Sequence, residues 1–281
     1  MSSEALNLPL EEEDEGRGAK QHGANFPRIW VALVTIFVAL FALLTTWGVA
    51  RKSLDGRALS ATLQYELVRI MSGAVAVVIV FAVSRRFSSE AFIFRDSPAM
   101  RERPFSSKAR KLSLVAIAAV AAGTVIRIFS GDPASWTPVE LLALLVFGLT
   151  VAAWEEIAFR GLLLSALRHR YSEASAWWWS SFAFSIVHLT AGPVVALVCL
   201  ASGSSYYLAR RLTGNLWLSI VLHAATDISI WWTLGIVASP AQTAGTQSNF
   251  GVLVVFLGYL LTIVSLAMIR WPSLRRRGLP T

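Results

Sequence analysis

Trp154-Glu155-Glu156-Ile157-Ala158-Phe159-Arg160-Gly161 lies inside a run that is otherwise apolar from Leu141 to Leu167. Two adjacent carboxylates and a guanidinium four residues on are costly there if the run crosses a bilayer. A charge at membrane depth costs about 2.5–3.5 kcal/mol on insertion scales, so it needs a partner, water or a purpose. On a helix Glu156 and Arg160 face each other and can pair, whereas Glu155 is turned by roughly 100° from Glu156. The arginine accounts for one carboxylate. The other is left over.

The rest of the chain explains why a bilayer is the right frame. Of its 281 residues 55% are apolar and only 15% charged, where soluble domains carry about 25% charged. Several apolar runs reach the length of about 20 residues that spans a hydrocarbon core. The net charge of +8 sits beside those runs, which is the pattern of membrane topology and not of a nucleic-acid face. Cys199, the one cysteine, has no partner for an intrachain disulfide and reads as a small packing residue.

The expected fold is all-α and polytopic, with eight transmembrane helices. A polar tail, residues 1–28, carries the acidic run Glu11 to Glu15 and has too little apolar surface to order. Spans are expected near 29–49, 67–84 and 112–129, forming an N-terminal group over 29–129. Four more, near 138–167, 176–190, 193–209 and 216–237, form the group 138–237 that holds the ionisable residues. The last runs near 250–269, and a basic tail closes the region 250–281. An Ala-rich face in the third span, from Ala116 to Gly123, should let a neighbouring helix approach closely. Of the 25 cations, nineteen fall in the two tails and the connections after spans two, four and six. Arg51, Lys52 and Arg57 are the only ones in the remaining connections. Both termini are therefore expected to be cytoplasmic.

Glu155 has company at depth. His188 lies in the fifth span, and His223 and Asp227 lie in the seventh, four residues apart and so on one helical face. Counted at 1.5 Å per residue from the inner ends, these groups can meet in one cavity. A lone histidine in a span commonly bonds a backbone carbonyl, but four ionisable groups at similar depth point to function. A carboxylate and an imidazole sharing a water suit general-base catalysis, and a second imidazole could donate to an oxyanion. Glu155, His188, His223 and Asp227 could equally ligate zinc, although neither H-E-x-x-H nor G-x-S-x-G occurs. A proton-coupled transporter using the same cluster is the other chemical reading, without the repeated halves common in such proteins.

Glu155-Glu156-x-x-x-Arg160, Phe184-x-x-x-His188 and His223-x-x-x-Asp227 together resemble the three-motif signature of the CAAX protease and bacteriocin-processing (CPBP, or Abi) family, which includes the Ras-converting CAAX prenyl endopeptidases. The resemblance covers about Pro138 to Asp227. It implies an intramembrane endopeptidase in which Glu155 and His188 activate water, His223 and residue 227 stabilise the oxyanion, and Glu156 and Arg160 support the site. It implies a membrane-embedded or lipidated peptide or protein as substrate, with the glutamate-dependent and metalloprotease descriptions both open. A non-hydrolytic scaffold or bacteriocin-immunity member is the alternative within the family. At 227 the prenyl protease branch commonly has Asn, and this chain has Asp. The protein is expected in the bacterial plasma membrane, with no nucleic-acid partner.

Overall fold

The computed structural model describes residues 28–55, 57, 59–87, 93–96, 106–131, 136–234 and 249–269. The acidic N-terminal tail, the connection around Gln242 and the basic tail after Ile269 lie outside the described residues. The described residues are almost wholly helical: α1 (Ile29–Leu54), α2 (Ala61–Phe87), α3 (Ser107–Phe129), α4 (Pro138–Glu155), a π segment (Glu156–Leu163), α5 (Leu164–Arg170), α6 (Glu173–Val187), a short 3-10 turn (Leu189–Ala191), α7 (Pro193–Thr213), α8 (Leu216–Leu234) and α9 (Asn249–Met268). The chain is thus a polytopic all-α membrane protein.

Among the described residues, five helical stretches are long and apolar enough to cross a membrane: α1, α2, α3, the continuous α4–π–α5 rod and the α9 stretch from Phe250. The apolar part of α8, Leu216–Trp232, is shorter. Each expected span coincides with a helix, but several boundaries differ: α1 ends five residues later than expected and α3 begins five earlier, and two further differences have a clear cause. The second begins six residues earlier, at Ala61, because the polar first turns of α2 (Gln64, Glu66) hide its start from a hydropathy reading. The fifth ends at Val187 and not at Thr190. There His188 terminates α6, and Gly192 at φ +112°, followed by Pro193, turns the chain into α7. With 15 residues, α6 is about 22 Å long.

α4 starts on a complete capping box. Thr137 accepts from the Glu140 amide, the Glu140 carboxylate accepts from the Thr137 amide, and Pro138 takes the first turn. From there the rod runs through the centre of the molecule, with α2 and α8 along α4 and α6 beside the π segment and α5. Nearly every residue from Ala152 to Leu167 is buried. α3 lies against α9 as its small residues led one to expect: a Cβ at Gly123 would come 2.6 Å from the Val255 amide, and one at Gly258 2.7 Å from that of Val120. Only glycine permits this backbone contact.

The segment 93–96, between α2 and α3, clasps the end of α7. Asp96 and Leu216 amides donate to Gly214 and Phe94 carbonyls, framing an antiparallel bridge between Arg95 and Asn215. The buried Asp96 carboxylate accepts from Arg168 on α5 (2.8 Å) and Arg210 on α7 (3.0 Å). Arg168 also forks onto Glu173 of α6, which accepts from the Tyr207 hydroxyl at 2.6 Å. Burial raises the Asp96 carboxyl pKa, but Arg168 and Arg210 outweigh it and hold the group down at about 2.

Candidate active site

The Glu155 carboxylate projects from the last residue of α4 into the gap between α6 and α8. Its Oε2 stands 3.8 Å from His188 Nε2 and 3.6 Å from His223 Nε2, and is buried without a hydrogen-bond partner. These separations exceed a direct hydrogen bond and are where a bridging water is to be sought. Asp227 Oδ2 lies 3.5 Å from His223 Nε2. All four ionisable residues singled out in the sequence therefore converge. The His188 and Asp227 side chains are 27% and 21% exposed against 8% for Glu155, so the cluster is reached from their side.

Both imidazoles are fixed through their other nitrogen. His188 Nδ1 is 2.8 Å from the Phe184 carbonyl oxygen, which only accepts, so Nδ1 carries a proton. In the neutral ring Nε2 is then a bare lone pair turned toward Glu155. His223 Nδ1 is 3.0 Å from Glu156 Oε1 and donates to that carboxylate. The same Glu156 oxygen accepts from Arg160 Nη1 at 2.9 Å, with both side chains fully buried. The Glu156–Arg160 pair expected from spacing is present, and it does more than neutralise itself: it orients the imidazole of a distant helix.

The local backbone explains how adjacent glutamates serve different partners. At Glu156 the rod widens into eight residues of π-helix, a geometry frequent at functional sites. Gly203 of α7 makes room for the arginine, since a Cβ there would overlap its Nη2 and come 3.0 Å from the Phe184 ring. The guanidinium carbon lies over that ring, 4.1 Å from its centre.

Sequence reasoning missed Tyr206. Its ring stacks on His223 at 4.4 Å and 15° between planes, while Phe184 meets the same imidazole edge-on at 5.7 Å. An aromatic residue in an apolar span carries no signal of such a role.

Zinc on this set was an expectation. Tetrahedral ligands at about 2.0–2.1 Å bring their donor atoms to roughly 3.3 Å from one another. The contacts here are 3.5–3.8 Å, and among the described residues no three His, Cys, Asp or Glu side chains are arranged to hold one metal ion. As placed, the residues do not fit a metal.

The described helices thus bring a buried carboxylate to face two imidazoles that are each fixed through their other nitrogen. Residues 136–229 match the family described as type II CAAX prenyl endopeptidase, Rce1-like. That stretch contains all three motifs, and over it the chain is similar to this endopeptidase family. No curated protein matches the chain.

Proposed function

We propose that the protein is an intramembrane endopeptidase that hydrolyses a peptide bond of a membrane-associated substrate, a CAAX-type prenylated tail or a related one. The observation that carries this is the partnerless Glu155 Oε2, buried and faced by the Nε2 atoms of His188 and His223. A water held between Glu155 and His188 meets two proton acceptors, the carboxylate and the lone pair of His188. Loss of its proton makes it a nucleophile, and attack on the scissile carbonyl places negative charge on the carbonyl oxygen.

His223 serves that charge. Its Nδ1 proton is committed to Glu156, so donation from Nε2 requires the doubly protonated ring, which Glu156 and Asp227 flank with carboxylates. Collapse of the tetrahedral species expels the amine, which takes the proton first accepted by the Glu155–His188 pair. Arg160 and Tyr206 hold Glu156 and His223 in place and touch no reacting atom.

The test is proteolysis of membrane-embedded and prenylated peptides by the purified protein, wild type against Glu155→Gln. The Gln variant keeps the side-chain shape and loses the proton acceptor. Turnover should fall by about 10²–10⁴-fold with melting unchanged. A Gln variant that cleaves like wild type removes Glu155 from the mechanism. Turnover should also survive a metal chelator. Chelator inactivation reversed by zinc would transfer the reading to metal-assisted hydrolysis.

We further propose the orientation that the cation bias supports, with both termini, Arg168, Arg170, Arg210 and Arg211 on the cytoplasmic side.

A further inference from the structure

A cavity of about 320 Å³ opens between the end of α1 and the start of α2, lined by Trp47, Arg51, Leu54, Gln64, Tyr65 and Val68 among others. It lies far along the chain from the three motifs, at the helix ends where aromatic side chains mark a membrane–water boundary. Three of its four polar side chains, Trp47, Arg51 and Tyr65, can donate into it, whereas the Gln64 amide gives its N–H groups to the Arg57 and Leu59 carbonyls. Among the described residues the Arg51 guanidinium and the Trp47 indole N–H make no hydrogen bond. The Tyr65 hydroxyl already accepts from Arg69 Nη1 at 2.9 Å, so its own proton is free to give. Arg69 stands behind this wall as a second cation, 5.2 Å from the centre of the Tyr65 ring and 6.0 Å from that of Trp47. The two rings brace each other edge-to-face at 5.4 Å.

Such a lining selects an anion. Arg51, Lys52 and Arg57 form no ion pair among the described residues, although Asp55 is close in sequence. The helix dipole at the end of α1 favours Arg51 and Lys52 modestly. Their placement nevertheless runs against the charge bias of the whole chain. Below them, Phe37 (69% exposed), Phe41 and Leu44 (68%) are presented outward on α1. Phe37, Leu44 and Arg51 are seven residues apart, and so fall on one face with the cation at its end. A donor-lined cup above an apolar strip matches one molecule: a phosphate carrying acyl chains. The volume, at the small end of ligand sites, suits a headgroup and not a whole lipid.

We propose that this cavity seats the phosphodiester headgroup of an anionic phospholipid, with the acyl chains along Phe37, Phe41 and Leu44. Arg51 forks onto the phosphate oxygens, Tyr65 and Trp47 donate from the inner wall, and Arg69 supplies charge from behind. The site is independent of the substrate and of the Glu155 cluster.

The test uses the full chain purified from nanodiscs of equal phosphatidylglycerol and phosphatidylcholine, with retained lipid read by native mass spectrometry. Wild type should retain phosphatidylglycerol. Affinity should drop about fivefold to tenfold in Arg51→Gln, a change of one basic residue at a membrane surface, and partly recover in Arg51→Lys. Trp47→Phe, which keeps the ring and removes the donor, should also weaken retention. Arg86→Gln at the other end of α2 should bind as wild type does. Equal retention of phosphatidylcholine, or an Arg51→Gln protein that holds phosphatidylglycerol undiminished, overturns the proposal. Displacement of the lipid by inorganic phosphate also overturns it and makes free phosphate the ligand.

Discussion

At the scale of single residues, Asp227 is where chemistry and resemblance diverge. Its Oδ2 lies 3.5 Å from His223 Nε2, so it can hold the imidazole by accepting or stand beside an oxyanion by donating from a protonated carboxyl. Asn cannot accept at the amide nitrogen but donates there in any protonation state. If Asp227 acts as a donor, Asp227→Asn keeps turnover within about tenfold and extends it to higher pH. If it acts as a carboxylate, the variant loses the acceptor, and turnover falls by about 10²-fold or more. The pH–rate profiles of both forms decide between these. Glu155, His188, His223 and Asp227 were legible because an ionisable side chain inside an apolar run demands an explanation. Tyr206 was not, since a stacked ring is made of the same residue types as lipid-facing surface. Nor was the bond from Glu156 to His223, because i,i+4 spacing already supplied Glu156 with Arg160 and nothing local hints at a partner 67 residues away.

Among the elements, the eight-residue π segment was illegible for a related reason. A change from i→i+4 to i→i+5 bonding leaves no mark in composition, and Glu155-Glu156 read on a uniform helix explained only one of its two acids. The segment 93–96 was missed because an acid within a basic connection looks solvated. Asp96 instead ties α5 and α7 together, and through Arg168 it reaches Glu173 on α6. Asp96→Asn removes the buried carboxylate that Arg168 and Arg210 share and should cost about 3–5 kcal/mol, read as a lower melting temperature in detergent. The pH dependence has a definite sign. The folded pKa, about 2, lies below the ordinary 3.8, so the contribution is complete above pH 4 and is lost as pH falls through 2. Wild type should lose about 2 kcal/mol over that window, and Asp96→Asn should not. An Asn variant with the same melting temperature as wild type at pH 7 would reduce the clasp to an incidental contact.

For the whole molecule, the helix arrangement was largely readable from hydropathy, while orientation rests on charge alone. Single cysteines in a Cys199→Ala background test it. Ser130 is exposed at the end of α3 and is the better probe there, because a Cβ at Gly131 would overlap the Trp232 indole. Ser130→Cys should react with an impermeant maleimide added to intact cells, and Ser106→Cys should react only after lysis. The reverse pattern would turn the protein over in the membrane and place the Asp96 clasp outside.

The shortness of α6 has a consequence for the lipid itself. A hydrocarbon layer is about 30 Å thick, so a helix of about 22 Å that begins at one surface stops well inside it. His188 stands at that stopping point, followed by Leu189 and, after the turn, Val194, both exposed to the surroundings. Acyl chains beside the α6–α7 tip must bend, or the layer must thin, to keep those apolar side chains covered. Water then approaches His188 more closely than its nominal depth implies, and more so in a thin bilayer. Hydrolysis of the same peptide should therefore run several-fold faster in dimyristoyl than in dierucoyl phosphatidylcholine. Rates independent of acyl-chain length would mean that the protein hydrates this depth without help from its solvent.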